Sequence, residues 1–181
     1  MALTSTMFTF DVTLSDVDRG VYETIAIRMA QHPSESEEYF ITRLLAYCLE
    51  YEEGIAFSRG ISDADEPPIA VRDLTGTLTA WIEIGAPDAA RLHKASKASP
   101  RLALYTAKSP EVLTRGYAGQ KIHKAEAIVA RGVPRATIEW FIDHLDRRLE
   151  IAMSVTDGTI YLTIGDDTHE TSLPALQLFD V

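Results

Sequence analysis

Ile69-Ala70-Val71-Arg72-Asp73-Leu74-Thr75-Gly76-Thr77-Leu78-Thr79-Ala80-Trp81-Ile82-Glu83-Ile84-Gly85-Ala86-Pro87-Asp88 is the stretch that sets the fold class. Ile69–Arg72 and Thr77–Ile84 are short β-branched and apolar runs separated by Asp73–Gly76, a turn composition. Pro87-Asp88 then opens a helix, with Asp88 as N-cap, that is expected to run to about Ser99. Two strands followed at once by a helix place the chain in the α/β class.

The same alternation extends in both directions. Phe8, Phe10, Val12 and Leu14 recur with period two, as do Ile25, Ile27 and Met29, so an N-terminal hairpin is expected around Ser15–Gly20. A helix follows, with Ser34 as cap, Glu37 completing a capping box, Phe40, Leu44, Tyr47, Cys48 and Tyr51 on one face, and Gly54 closing it. A short strand near Ile55–Phe57 and a polar loop from Gly60 to Pro68 lead into the opening stretch. Beyond it come a strand at Leu102–Tyr105, a helix opened by Ser109-Pro110, and a strand near Ala127–Ala130. A helix from Pro134 to His144 follows. Strands at Leu149–Val155 and Thr159–Ile164 flank Asp157-Gly158, a type I′ hairpin signal, and a last strand is expected near Thr168–Leu173. No repeat or linker interrupts this order. The expectation is one domain over residues 1–181, a mixed sheet with helices packed on it and added N- and C-terminal hairpins.

The 181 residues are sufficient for a sizeable core, and no run approaches the roughly 20 apolar residues of a membrane helix. Met1–Thr6 has neither the basic nor the apolar region of a secretory leader. Cys48, the single cysteine, excludes an intramolecular disulfide, reads as a buried thiol and suits a cytoplasmic location. The net charge of −10 argues against bulk coating of nucleic acid, but the charge is uneven. Residues 91–124 carry eight basic side chains (Arg91, Lys94, Lys97, Arg101, Lys108, Arg115, Lys121 and Lys124) against one acid, Glu111. This segment is either a solvated surface balanced by acidic neighbours across the fold or a cationic patch for phosphates.

The sequence lacks the Walker A, G-x-G-x-x-G, G-x-S-x-G and H-E-x-x-H patterns, and its five histidines show no metal-ligand spacing. The positive signal is carboxylates at element ends. Glu83 lies in an otherwise apolar strand, where burial is expensive without a cation or a partner. Asp73 sits at the preceding turn. If the two converge, they suit Mg²⁺ or Mn²⁺, and such an ion can activate water and neutralise a phosphate. The alternative is that Asp73 is a turn residue and Glu83 pairs with Arg91 or Arg43.

His32-Pro33-Ser34-Glu35, Arg43-Leu44-Leu45-Ala46, Asp65-Glu66-Pro67, Trp81-Ile82-Glu83 with Gly85 and Pro87-Asp88, then Arg91, Lys94 and Ala95, together resemble the YaeQ family of bacterial proteins. The resemblance covers nearly the whole chain. It implies a restriction-endonuclease-like fold, similar to the PD-(D/E)XK nucleases. Under it, Asp73 matches the strand aspartate and Glu83 the glutamate, while Glu35 or Glu38 supplies the helix acid. Gly85 stands where that pattern has its lysine, and Lys94 of the following helix is the replacement. Arg91, Lys97 and Arg43 then become substrate contacts. Three functions are compatible with these residues. One is a Mg²⁺-dependent phosphodiesterase or nuclease. Another is an inactive nuclease-like domain that binds nucleic acid or a protein partner. The third binds a small anion in the same cleft.

Overall fold

The computed structural model describes residues 4–59 and 65–179. Strands β1 (Thr6–Asp16) and β2 (Val21–Gln31) precede helix α1 (Glu37–Leu49). Strands β3 (Ile55–Phe57), β4 (Ile69–Arg72) and β5 (Leu78–Ile84) lead to α2 (Ala89–Ala98). Then come β6 (Leu102–Thr106), α3 (Pro110–Tyr117), a 3-10 turn (Ala125–Ala127), β7 (Val129–Gly132) and α4 (Arg135–His144). Strands β8 (Arg148–Thr156), β9 (Thr159–Ile164) and β10 (Asp167–Thr171) follow. No helix among the described residues is long and apolar enough to cross a membrane.

The elements form two five-stranded mixed sheets, not the single sheet expected from sequence. The chain correspondingly groups into two compact units, residues 1–41 with 134–173, and residues 42–133 with 174–181. Both units are discontinuous in sequence, so no single stretch of chain separates them.

In the first unit the order is β10-β9-β8-β1-β2. Phe8, Phe10, Val12 and Leu14 of β1 face inward with Ile25, Ile27 and Met29 of β2, as the alternation requires. β1 and β8 pair in parallel from Thr9↔Arg148 to Asp16↔Val155, so the two terminal hairpins share one sheet. At the β8–β9 turn, Asp157 and Gly158 have φ of 50° and 75°, the left-handed pair of a type I′ turn. Their amides donate to the Asp18 carboxylate at 2.7 and 2.9 Å.

The second unit has the order β3-β4-β5-β6-β7, antiparallel through β5 and parallel from β5 to β7. β5 is central, and Ala80 to Ile84 are all buried, Glu83 included. Trp81 points to the face where Leu92, Ala95, Leu104, Leu113 and Tyr117 form a core. Cys48 is buried, as expected of a structural thiol. Glu50, just past α1, accepts from the Tyr105 hydroxyl at 2.7 Å and pairs with Arg101 at 2.7 Å.

Two helix-end assignments change. Ser36 caps α1, its hydroxyl accepting from the Tyr39 amide at 3.1 Å. Ser34 is instead tied to the His32 ring. Gly54 lies beyond the helix end, in the turn before β3, and its carbonyl accepts from the Arg72 amide. The polar loop expected over residues 60–68 falls partly outside the described residues.

Candidate functional site

Trp81 and Glu83 are two residues apart on β5, so both side chains project to the same face. Glu83 is 2 % exposed, and its carboxylate has three donors. Trp81 Nε1–H donates at 2.9 Å, Arg91 Nε–H at 2.8 Å and the Ile84 amide at 3.3 Å. Burial pushes the Glu83 carboxyl above its ordinary range, and Arg91, Trp81 and the Ile84 amide hold it back.

Local backbone geometry brings Arg91 there. Gly85 has φ of +85°, a conformation that L side chains rarely adopt, and its amide bonds to the Tyr105 carbonyl. This turns the chain off β5 into the helix entry. Asp88 then caps α2, accepting from the Arg91 amide at 2.8 Å, as its sequence position indicates. Arg91 stands in the first turn of α2. Its guanidinium lies 5.7 Å over the Trp81 ring and also donates to the Glu66 carbonyl at 3.0 Å. Tyr117 donates to the Pro87 carbonyl at 2.8 Å. Its hydroxyl is pushed up to about 12 by burial, with Glu83 and Asp88 adding to the effect. At this φ a lysine, like any L residue, would be strained where glycine is not.

Lys94, one turn further along α2, pairs with Asp65, and both side chains are solvent-exposed. Arg91, Lys94, Glu83, Asp65 and the Glu66 carbonyl therefore gather at the β4-start and β5-end of this sheet. Asp65 is the residue that sequence reasoning missed as a site member. The signal was present in the register: Ile69 lies opposite Ile82, so the residues just before Ile69 sit beside Glu83.

Asp73 is not part of this cluster. It occupies the far end of the β4–β5 hairpin, its amide bonded to the Thr77 carbonyl. Thr77 and Glu83 are six residues apart on an extended strand, roughly 20 Å. Ligands of one Mg²⁺ or Mn²⁺ lie within about 2.6 Å of it, so Asp73 and Glu83 do not share an ion. The expectation of a joint metal site on these two residues is corrected by strand direction: a turn residue and a strand-end residue on one hairpin lie at opposite ends. Asp73 works as a turn residue. Its carboxylate accepts from the Thr75 hydroxyl at 2.6 Å and from the Thr75 and Thr77 amides at 2.9 and 3.0 Å. The Thr75 hydroxyl, then the Thr77 amide, hold the Asp73 carboxyl below its usual range. Asp73→Ala is accordingly expected to lower the thermal unfolding midpoint while leaving ligand binding at the Glu83 end unchanged. Thermal melts read the first effect, and a binding titration of the same variant reads the second.

Glu35 and Glu38 belong to the first unit. Glu35 is buried in the turn before α1, where it accepts from the His32 amide at 3.2 Å, and Glu38 is half-buried in the first helical turn. Arg43 is buried with its guanidinium 5.4 Å over Phe57, not exposed as a substrate contact would be. Lys97 is exposed in the last turn of α2. Among the described residues, no three His, Cys, Asp or Glu side chains converge as a metal centre would require.

Comparison with known proteins is consistent across the chain. A family model described as "YaeQ protein" matches residues 1–173. An "Uncharacterized protein YaeQ" of Salmonella typhi is 29% identical, and one of Escherichia coli K12 is 28% identical, each alignment covering 98% of both chains. The crystal structure of YaeQ protein from Pseudomonas syringae superposes with a TM-score of 0.84 at 34% identity, covering 96% of each chain. That of YaeQ protein from Xanthomonas axonopodis pv. citri gives 0.84 at 27% identity, covering 96% of this chain and 99% of the other. A match over nearly the full length, in sequence and in fold, establishes that this chain belongs to the YaeQ family.

Proposed function

We propose that this protein is a nuclease-like, PD-(D/E)XK-type domain that binds nucleic acid at the α2 side of its second unit without hydrolysing it. One observation carries the non-hydrolytic part of this reading: the buried Glu83 carboxylate is already paired with Arg91 and hydrogen-bonded by Trp81, and Asp73 is roughly 20 Å away. The mixed sheet flanked by helices, with a glutamate near the end of its central strand, supports the nuclease-like architecture. The donor set does not fit a Mg²⁺ or Mn²⁺ ion as arranged, because Glu83 would have to release Arg91 before it could offer both oxygens. Asp65 alone, paired with exposed Lys94, is a weak site for a divalent ion.

The test combines binding and cleavage. Labelled single- and double-stranded DNA and RNA are titrated with purified protein at several salt concentrations, then incubated with Mg²⁺ or Mn²⁺. The expected result is salt-dependent binding with no cleavage beyond that of a Glu83→Gln control. Metal-dependent cleavage that disappears in Glu83→Gln would overturn the non-hydrolytic reading in favour of a phosphodiesterase. Absence of binding to every nucleic acid would overturn the reading altogether, leaving a protein partner or a small anion as the ligand.

A further inference from the structure

The cations of α2 and its neighbours divide into two groups. Arg91, Lys94 and Arg101 each face a carboxylate: Glu83, Asp65 and Glu50. Lys97, Lys121 and Lys124 do not, and among the described residues none of the three takes part in an ion pair. All three are exposed. In a protein of net charge −10, lysines without acidic partners are unexpected, because acids outnumber bases 27 to 17.

The fold draws two of these lysines together. The segment between α3 and the 3-10 turn is folded against α2. Ile122 packs on the core that includes Leu92 and Ala95. The next residue, His123, donates its amide to His93 Nδ1 at 3.1 Å, and the two rings meet edge-on at 6.5 Å. An Nδ1 that accepts leaves the ring proton on Nε2, and the His93 ring also bonds to the Lys121 backbone. His93 thus ties the segment down with both faces of its chemistry. Partial burial, then Lys97, Lys121 and His123, hold His93 below its ordinary range, and no acid is among the groups acting on it.

We infer that Lys97 of α2 and Lys121 of the following segment form a sequence-independent contact surface for the phosphodiester backbone of a nucleic acid. The inference rests on the nucleic-acid reading above and assigns it a place. Lysine ammonium groups are flexible point charges that suit phosphate without reading bases. Lys97 is one turn from Lys94, about 4.5 Å along the helix axis, so the surface continues from the Glu83 end of the sheet. The overall negative charge does not cancel the patch. The Debye length is about 8 Å at physiological ionic strength, so a bound phosphate responds to the ammonium groups beside it more than to distant acids.

The test is the double charge reversal Lys97→Glu/Lys121→Glu, with the neutral pair Lys97→Gln/Lys121→Gln as a gentler version. Arg148→Glu, an exposed change in the first unit, is the control. Binding of fluorescein-labelled single- and double-stranded oligonucleotides is followed by anisotropy over a salt series. Loss of two phosphate contacts is expected to flatten the slope of log affinity against log salt by about 1.4 for single strands and about 1.8 for duplexes. At low salt the affinity is expected to fall roughly tenfold or more, less for the neutral pair and not at all for the control. Wild-type binding that both lysine variants leave intact would overturn this inference while leaving the nucleic-acid reading in place. Failure of the wild type to bind any oligonucleotide would overturn that reading and this inference with it. Inorganic pyrophosphate competing as well per phosphate as the oligonucleotide would reassign the patch to a small anion.

Discussion

Arg91→Met is expected to destabilise the protein by about 2–3 kcal/mol at pH 8, and by clearly less at pH 5. Removing one partner of a buried ion pair typically costs about 3–5 kcal/mol, because a charge remains buried without compensation. Glu83 is that charge, at 3 % side-chain exposure, and the lower figure allows for Arg91, whose side chain is 24 % exposed. Methionine retains much of the apolar stem that lies over Trp81. The pH dependence follows from the direction of the Glu83 shift. Burial already raises its folded-state value above the ordinary 4.5, and Arg91 is the largest influence holding it down. Without Arg91 the value rises further. A carboxyl raised in the folded state stabilises fully below its unfolded value, and that contribution is lost as pH climbs through the folded value. The variant therefore recovers on acidification, where Glu83 accepts a proton. Urea midpoints for wild type and variant at both pH values measure this, and equal losses at pH 5 and pH 8 would refute it. Adding Glu83→Gln to Arg91→Met is expected to restore part of the loss, since the amide oxygen still accepts from Trp81 without a charge to bury.

Gly54→Ala is expected to cost on the order of 4 kcal/mol, from two additive causes. Gly54 has φ of +90°, where an L residue is strained. In addition, a Cβ at this position would fall on the Arg72 carbonyl oxygen, far inside contact distance, and backbone cannot rotate aside as a flexible side chain can. The Gly54 carbonyl accepts from the Arg72 amide, so the strain is delivered to the β3–β4 pairing, Ile55↔Val71 to Phe57↔Ile69. Gly76 provides the comparison. It too has positive φ, +86°, but an added Cβ meets nothing within 4 Å. Gly76→Ala should then carry only the backbone strain, about 1–2 kcal/mol. Chemical denaturation of the two variants separates the contributions, and a Gly54→Ala protein no less stable than Gly76→Ala would contradict the steric account.

Several local signals in the sequence translated directly into elements, although the α1 cap fell on Ser36 and not Ser34, and Gly54 lies beyond that helix. Asp88 caps α2, Asp157-Gly158 forms the I′ turn, and the period-two run Phe8–Leu14 faces inward. These depend on residues a few positions apart, where propensity and periodicity act. Pairing at a distance was not legible. The β1–β8 contact joins residues about 140 positions apart, and nothing in either strand's composition names its partner. The same limit governed the site. Glu83 stood out because a carboxylate among Trp81, Ile82 and Ile84 needs a partner, and the Arg91 alternative for that partner is the one the fold provides. Asp73 stood out for a residue type equally suited to a turn, and its hydrogen bonds to Thr75 and Thr77 give that second role. Counting strand register back from the hairpin, in place of sequence distance, would have directed attention to Asp65.

The parallel pairing of β1 with β8 has a consequence for the ribosome. β1 and β2 emerge first, yet the neighbour that pairs with the other edge of β1 is not complete until Thr156. At synthesis rates of about 5–20 residues per second, that interval is roughly 6–25 s. During it, the apolar row Phe8, Phe10, Val12 and Leu14 has Phe40 of α1 against its first two rings, at 4.9 and 6.1 Å, but no finished sheet. The intervening residues 42–133 carry nearly all of the second unit and can collapse on their own in that time. The first unit therefore waits for residues 134–173 before its sheet can close, and the β1–β2 hairpin is where a holding chaperone would be of most use.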